Sequence, residues 1–436
     1  VTNKARVVRA FVSARYLRRW HSRAAIERHQ RRRLARHMRF LRSHSPYFSR
    51  LMAGDDPPQW ADLPLMNKAT MMANFDELNT VGLARDEALA LAIEGERRRD
   101  FAGDLGGCSV GLSSGTTGHR GLFVVSPRER DVWAGTVLAL TLPRGRSVWG
   151  HRIALFLRAD NTLYEAVNSR AVTFEFFDIY TDMAENVGRL AGYRPTILVG
   201  PPSVLSVVAR LAAEAGLELA PERVISVAEV LDDVDRGRLE KAFAVDAIHQ
   251  LYQCTEGFLG HTCDRGVLHL NEHIAIIERE YIDERRFVPI ITDLERRAQP
   301  IVRYRLNDIL VDRGEPCPCG SALAALERIE GREDDTLRMR RRDGEFVDVF
   351  ADMVTRAMVY AEGFAEYRVV QTGPSRLVVE LDNLDERARA SVTEEVATLS
   401  TALDFERPTI EFREYRTDLT KKLRRVEQAW GNHESV

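Results

Sequence analysis

Residues 112–121 read Leu-Ser-Ser-Gly-Thr-Thr-Gly-His-Arg-Gly. Ser113, Ser114, Thr116 and Thr117 supply four hydroxyls, and Gly115, Gly118 and Gly121 let the backbone approach a ligand closely. Hydroxyls and N–H groups pointing from several directions suit a polyphosphate. No Gly-Lys-Ser/Thr follows, so the loop is not of the Walker A kind, and by composition alone a flexible surface turn fits equally well. Four further groups follow at long intervals. Tyr252-Gln253-Cys254-Thr255-Glu256-Gly257 ends an apolar run with a hydroxyl and a carboxylate, suited to phosphate contact and Mg²⁺ ligation. Arg303-Tyr304-Arg305-Leu306-Asn307-Asp308 offers a carboxylate that could take both hydroxyls of a ribose. Gly331-Arg332-Glu333-Asp334-Asp335 lies where the chain changes character, and Thr417-Asp418-Leu419-Thr420-Lys421-Lys422 brings two cations near the C-terminus. Taken singly, each pair is more often an ordinary structural contact.

Cys263-x5-His269 and Cys317-Pro318-Cys319-Gly320 could supply three thiolates and an imidazole, a complete tetrahedral set for a closed zinc site. The spacing is not a finger signature, and free thiols are the alternative. Cys108 and Cys254 have no neighbouring base that would make them reactive. Five cysteines in a long chain argue for a reducing cytoplasm and against a disulfide framework.

The elements that must position these groups follow from pattern. A chain of 436 residues, 44% apolar, can bury a large core in two or three domains. No run of about 18 apolar residues spans a membrane and no signal peptide is visible. Residues 1–50 carry Lys4 and fourteen arginines against the single acid Glu27, a surplus of +14 that leaves −17 for the rest. Such an arm could touch nucleic acid, anionic lipid or the acidic body of its own protein; Leu34, Met38 and Leu41 at helical spacing favour the last. Nucleic acid is disfavoured, since no aromatic interleaving or binding module is present.

From about 150 to 310, candidate strands Ile153–Leu157, Val172–Phe177, Thr196–Val199, Val224–Val227, Ala247–Tyr252 and Pro289–Thr292 alternate with helices Met183–Ala191, Val204–Ala215 and Asp233–Phe243. This is the signature of an α/β body with much parallel sheet. After the junction, strand Glu345–Phe350, helix Ala351–Ala361, strands Glu366–Thr372 and Arg376–Leu381, helix Leu384–Leu403 and strand Thr409–Tyr415 give a βαββαβ order, expected for a small α+β, ferredoxin-like domain. The charged run Arg338 to Asp343 reads as solvated surface or a hinge.

The ordered set of motifs resembles the adenylate-forming (acyl- and aryl-CoA ligase) superfamily. It is most similar to the phenylacetate–CoA ligase-like branch, which also includes deazaflavin-cofactor adenylylating enzymes. Ser45-Pro46-Tyr47-Phe48, Leu63-Pro64-Leu65-Met66-Asn67-Lys68, Gly200-Pro201-Pro202-Ser203 and Ala228-Glu229-Val230-Leu231 complete the resemblance, which covers nearly the whole chain. It implies a large N-terminal adenylation domain over 1–333, with mixed sheets and helices, and a mobile C-terminal domain over 334–436. Ser113, Ser114, Gly115, Thr116, Thr117 and Gly118 would hold the ATP phosphates. Ala228 and Glu229, with Tyr252 and Gln253, would lie around the adenine. Thr255 would contact the α-phosphate, Glu256 would position Mg²⁺, Asp308 would bind ribose and Arg332 the nucleotide. Asp334 would be the hinge, and Lys422 would reach the α-phosphate and acyl oxygen, with Lys421 as the nearby alternative. Similar Cys/His elements in that branch favour zinc at Cys263, His269, Cys317 and Cys319.

Three departures stand out. The usual lysine of the phosphate loop is replaced by His119-Arg120, and arginine keeps the charge but changes the geometry. Tyr-Arg-Thr-Gly-Asp has become Tyr304-Arg305-Leu306-Asn307-Asp308, and the C-terminal Gly-Lys has become Lys421-Lys422. The implied reaction is attack of a carboxylate on the α-phosphorus of ATP, giving acyl-AMP and pyrophosphate, then transfer to CoA. Transfer to an amine, a hydroxyl or a carrier-protein thiol is the second reading. A non-catalytic nucleotide-binding scaffold is a third, supported by the altered phosphate loop. The acid is expected to be aromatic or medium-chain, in a pocket drawn from about residues 155–260, with Phe156, Tyr164, Phe174, Phe176 and Phe177 as candidate linings and His249 nearby. Whether the chain works as a monomer or a homodimer stays open.

Overall fold

The computed structural model describes residues 2–18, 20–54, 58–98, 103–112, 121–145, 147–157, 171–416, 418 and 422–430. The chain divides into two compact units, Val1–Leu306 with Asp312–Arg328, and Asn307–Val311 with Ile329–Val436. The division thus falls slightly before residue 333, and a short stretch around Asp308 belongs with the second unit.

The first unit opens with α1 (Lys4–Val12), α2 (Arg23–His44), α3 (Pro46–Leu51), α4 (Lys68–Ala73), α5 (Phe75–Leu78) and α6 (Arg85–Arg98). A small antiparallel sheet of β1 (Asp104–Leu105), β2 (Cys108–Leu112) and β3 (Leu122–Val125) follows, then α7 (Pro127–Thr141). Parallel strands β4 (His151–Leu157), β5 (Val172–Asp178), β6 (Ile197–Gly200), β7 (Arg223–Ser226) and β8 (Ile248–Cys254) lie in the order β5-β4-β6-β7-β8. Helices α8 (Met183–Tyr193), α9 (Pro202–Glu214) and α10 (Asp233–Phe243) make the crossovers, as parallel pairing requires. The sheet then turns antiparallel through β9 (Gly257–Thr262), β10 (Leu268–Leu270) and the start of β15 (Ala325–Arg332). A second group pairs β11 (Ala275–Tyr281), β12 (Arg286–Asp293) and β13 (Tyr304–Arg305). The elements read from the α/β pattern are therefore present, most within two residues at either end.

One face of the parallel sheet buries Ile153, Leu155, Ile197, Val199 and Ile225 against Ala134 and Leu138 of α7 and Leu142 just beyond it. The basic arm packs on the body through its own charges. Arg6 pairs with the buried Asp131 at 2.8 Å, and Arg23 with Glu272 at 2.6 Å. Arg33 pairs with Glu295 and also donates to Leu294 O. Arg15 is buried and donates to the carbonyls of Ala139, Leu142 and Pro143 at the end of α7. Gly135 makes this approach possible: a Cβ there would stand 2.2 Å from Val7 O. The self-docking favoured by the charge pattern is thus what the arm does.

In the second unit a four-stranded sheet runs β20 (Thr409–Glu414), β19 (Arg376–Leu381), β18 (Tyr367–Gly373), β21 (Val426–Gln428), packed with α11 (Ala351–Tyr360) and α12 (Glu386–Ala402). The α+β character is as expected, but one strand is placed differently. β17 (Phe346–Val349) pairs with β16 (Leu337–Arg340) in a separate hairpin, and β21 takes the remaining sheet position, parallel to β18. Leu337 and Met339 are buried while Arg338 and Arg340 face out, so a period of two lies inside what reads as a charged run. β14 (Asp308–Asp312) and the end of β15 lead into this unit.

His37, on the docked face of α2, is 1% exposed and neither ring nitrogen finds a partner among the described residues. Burial, then Arg297 and Arg33, hold it neutral with a pKa of about 4. The unfolded chain binds that proton near 6.5, so stability should fall as pH drops from about 6.5 towards 4, by roughly 2 kcal/mol at pH 5 for this residue. Urea midpoints at about pH 5 and pH 7.5 check this, and His37→Leu should narrow the gap between them.

Candidate functional site

β8 and β9 form a hairpin in which Cys254 faces Gly257, so Thr255 and Glu256 are its two tip residues. Both are half-buried. Gly257 packs closely beside them: a Cβ there would lie 2.9 Å from Asp293 Oδ2, so that carboxylate would have to shift. Glu256 hydrogen-bonds the phenol of Tyr304; burial first, then this carboxylate, push the Tyr304 pKa up, so the phenol stays a donor. Tyr304 is placed by β12 on one side and by Met66 on the other, where Met66 N donates to Arg303 O and Arg305 N donates to Met66 O, each at 2.9 Å. Arg303 Nη1 also donates to Leu63 O at 2.6 Å. The Leu-Pro-Leu-Met and Tyr-Arg motifs, some 240 residues apart, are therefore one structural unit.

The hydroxyl-rich loop begins where β2 ends and finishes at β3. Its base is fixed by the pairing of Leu112 with Leu122. Ser113, Ser114, Gly115, Thr116, Thr117, Gly118, His119 and Arg120 lie outside the described residues, as do Tyr164 and Lys421. What holds the base is described. Gln299 accepts from Val124 N at 2.8 Å and donates to Leu122 O at 2.9 Å. Arg296 donates to Thr255 O at 3.0 Å and to Val124 O at 3.3 Å. Glu129, the capping-box residue of α7, accepts from the backbone N–H groups of Arg297 and Ala298. The segment 293–299 thus ties the loop's exit strand to the Thr-Glu turn. Sequence reasoning missed Glu129, Asp293, Arg296 and Gln299. The signal for Asp293 was present, since Thr292-Asp293 ends an apolar strand as Thr255-Glu256 does.

Ala228 takes a left-handed backbone (φ 67), a strained position for a residue with a Cβ. Beside it, Glu229 accepts from Ser203 Oγ at 2.7 Å, which joins the Ala-Glu and Gly-Pro-Pro-Ser motifs at the ends of β7 and β6. Tyr252 is buried, whereas Gln253 is exposed and accepts from Trp133 Nε1 at 2.9 Å. The aromatic candidates separate by face. Phe156 and Phe177 are fully buried and stacked at 4.8 Å, so they are core and not lining. Phe174 and Phe176 are half-buried at the rim of the α7-facing cluster, together with Trp133, Leu157, Val227 and Leu251. His249 is held neutral near pKa 4 by burial and by Arg223.

In the second unit, Arg332 Nε lies 3.5 Å from Asp308 Oδ1. Asn307 donates to Asp334 Oδ2 at 3.1 Å, and Glu333 N to Asn307 O at 2.7 Å. The adjacent Asp335 accepts from Arg332 N at 3.0 Å and from Arg424. The three candidates Asp308, Arg332 and Asp334 are therefore gathered, and Lys422, half-buried, sits two residues before the anchored Arg424.

Cys263, His269, Cys317 and Cys319 also come together, with all four ligand atoms within 4.8 Å of one another. Cys263 Sγ is 3.8 Å from Cys317 Sγ, and Cys319 Sγ is 3.5 Å from His269 Nε2. A tetrahedral zinc with Zn–S of about 2.3 Å and Zn–N of about 2.0 Å calls for S···S near ~3.8 Å and S···N near ~3.5 Å. His269 Nδ1 lies 2.9 Å from Leu323 O; with its proton there, Nε2 offers its lone pair to the cluster. Gly266 (φ 75) and Gly320 (φ 76) turn the chain after each cysteine element. N–H groups of Arg265, Cys319 and Ser321 point at the sulfurs. Burial opposes ionisation of Cys263, but His269 and backbone N–H groups outweigh it and bring the thiol down to about 6; burial and neighbouring thiols push Cys319 up to about 12. The donor set fits a thiophilic dication.

No protein-family model matches the chain, and comparison with curated proteins by sequence finds no match. Solved structures do match in fold. A 2-hydroxyisobutyryl-CoA ligase in the postadenylation state with 2-HIB-AMP superposes with a TM-score of 0.72 at 15% identity, over 94% of this chain and 91% of that one. The amide bond synthetase McbA from Marinactinospora thermotolerans gives 0.54 at 12% identity, over 72% and 68%. The anthranilate CoA ligase AuaEII with anthranoyl-AMP gives 0.52 at 14%, over 72% and 66%. The chain has the fold of adenylate-forming ligases, with its smaller C-terminal domain.

Asp293 is buried beneath the Thr-Glu turn and its pKa is raised to about 6, chiefly by burial, against Arg296 and the N–H groups of Glu295 and Arg296. A raised carboxyl favours the fold when protonated, so this contribution is lost as pH rises from about 4 through about 6. Asp293→Asn keeps an oxygen for those N–H groups and should be more stable than the parent at about pH 7.5, by roughly 1–3 kcal/mol, with no difference below about pH 4. Denaturant titrations across that range read the effect.

Proposed function

We propose that this chain is an ATP-dependent, AMP-forming ligase that activates a carboxylic acid as acyl-AMP, releases pyrophosphate and passes the acyl group to CoA. The observation that carries the reading is the tie between the hydroxyl-rich loop's base and the Thr255-Glu256 turn through Arg296 and Gln299, in a fold that solved acyl-AMP complexes share. The phenylacetate–CoA ligase-like branch is the assignment we favour, on the motif order.

The chemistry follows from charge. A carboxylate is a poor electrophile, since oxide would have to leave. Attack of its already ionised oxygen on the α-phosphorus needs no general base and breaks the bond to pyrophosphate. Negative charge gathers on phosphate oxygens, and preorganised donors stabilise it. Loop N–H groups and the hydroxyls of Ser113, Ser114, Thr116 and Thr117 hold the phosphates, Thr255 the α-phosphate, and Asp308 and Arg332 the nucleotide. Gln253 and Tyr252, with Ala228 and Glu229, border the base. Glu256, oriented by Tyr304, is the carboxylate that would hold Mg²⁺, which when bound offsets phosphate charge. Lys422 serves the adenylation half-reaction, and Asp334 is the hinge. The half-buried rim of Trp133 on α7 with Leu157, Phe174, Phe176, Val227 and Leu251 on or next to the parallel strands suits an aromatic or medium acyl acid. Transfer to an amine instead of CoA is the second reading, supported by the amide bond synthetase among the structures of this fold.

Cys263, His269, Cys317 and Cys319 would hold one zinc. With all four positions filled by protein, it supplies fold stability and no open coordination site. Metal analysis should find about one zinc per chain. Chelation should lower the melting temperature, and Cys263→Ser should lose stoichiometric zinc. A chelated sample as stable as the untreated one would remove the site.

Pyrophosphate exchange into ATP, run across a panel of aromatic and acyl acids, tests the activity. Acid-dependent exchange is expected, and ATP binding without exchange for any acid would favour the scaffold reading. Lys422→Ala should slow exchange roughly 10²–10³-fold and leave thioester formation from supplied acyl-AMP largely intact. Equal loss of both half-reactions would overturn the role given to Lys422.

A further inference from the structure

α1 is apolar on two faces. Val7 and Phe11 pack on the cluster beneath α7, and Ala10 lies against Gly135. The other face is open. Val8 is 59% exposed, Val12 38%, Tyr16 54% and Leu17 74%. Val8, Val12 and Tyr16 follow one another at i, i+4 and i+8, and the helix runs on without a break into a π turn over Ser13–Leu17, closed by Arg18 N donating to Ser13 O at 3.0 Å. The stripe is therefore continuous over nine and then five residues. It is not a loose end: Arg6, Arg15 and Gly135 fix the opposite face, so the apolar side chains are held outward.

Lys4 and Arg9 border the stripe and are exposed. The following helix α2 spends Arg23 and Arg33 on the body and pairs Arg31 with Glu27, but leaves Arg28, Arg32, Arg36, Arg39 and Arg42 exposed. Glu27 is the only acid in the first 50 residues. Large apolar side chains bordered by Lys4 and Arg9, on an arm with further exposed arginines, suit one surface above others, a bilayer interface bearing anionic headgroups. A second copy of the chain fits poorly, because a two-fold axis through the stripe would bring Lys4 and Arg9 towards their own copies. Nucleic acid would satisfy the arginines and leave Val8, Val12 and Leu17 with no partner. Among the described residues no helix is long and apolar enough to cross a membrane, so contact would be with the surface.

We infer that the α1 stripe, assisted by the outward arginines of α2, docks this protein on an anionic phospholipid surface. Binding draws on two separable terms, insertion of Val8, Val12, Tyr16 and Leu17 at the acyl boundary and attraction of the arm's cations to headgroups.

Flotation of the full chain with phosphatidylcholine vesicles, with and without about one third phosphatidylglycerol, tests this. Binding is expected to the anionic vesicles only and to weaken as salt is raised. Val8→Asp with Leu17→Asp should weaken it at least ~10-fold without moving the melting temperature, since both sites are exposed. Arg32→Glu with Arg36→Glu should weaken it while leaving the stripe intact. Absence of vesicle binding, equal binding to neutral vesicles, or full binding by the Val8/Leu17 variant would overturn the proposal. So would light scattering that finds a dimer dissolved by the same apolar variant while vesicle binding is unchanged.

Discussion

The guanidinium of Arg296 is the contact on which the candidate site most depends. It donates to one carbonyl on the Thr-Glu turn and to another on the strand leaving the hydroxyl-rich loop, while Gln299 splints that strand on both edges. Two peptide segments more than a hundred residues apart are thereby set at a fixed distance by one planar group. Lysine could not replace it, because a single ammonium has no rigid fork to span two carbonyls. The buried Asp293 lies under the same turn, where Gly257 packs closely against its carboxylate. The loop's exit strand and the Thr-Glu turn are thus set relative to each other by contacts within the protein alone.

Much of this was legible in the chain. The apolar positions Leu377, Val379 and Leu381 and the helical spacing of Leu34 and Leu41 mark their elements, and the structure buries those residues, with Val378 buried on the strand's other face as well. Motif order singled out Thr255, Glu256, Asp308 and Arg332 as candidates, and the structure places the first two on one hairpin tip and the last two in one ion pair. Other features carried no local signal. β21 has a single apolar residue between two polar neighbours, so only its parallel partner β18 makes it a strand. Gln299 and Glu129 act through backbone groups of distant residues, and no spacing announces a side chain whose partner is a main-chain carbonyl or N–H. Phe156 and Phe177 misled because aromatic residues alternating on a strand look alike whether they face a pocket or a core.

The basic arm shows how one composition can serve two ends. Some of its arginines are consumed within the molecule, on Asp131, Glu272, Glu295 and the carbonyls that end α7. Those pairs are partly or fully buried, where removal of one partner leaves an uncompensated charge. Arg28, Arg32, Arg36, Arg39 and Arg42 are exposed instead. Charge counts along a sequence cannot separate the two groups; the helical phase of α2, read against Ile26, Leu34 and Leu41, does so.

The arm's contacts have a consequence for the order in which the protein can assemble during synthesis. His21 meets Gly320 O across 299 residues, Ala322 N donates to Trp20 O, and Arg33 reaches Glu295 across 262. At about 5–20 residues per second, a ribosome needs roughly 15–60 s to extend the chain that far. Throughout that interval the segment from Trp20 to Arg33 lacks the surface on which it packs, whereas α1 can already close on α7. The turn after Cys317–Cys319, made late, sets the moment at which Trp20 and His21 can settle.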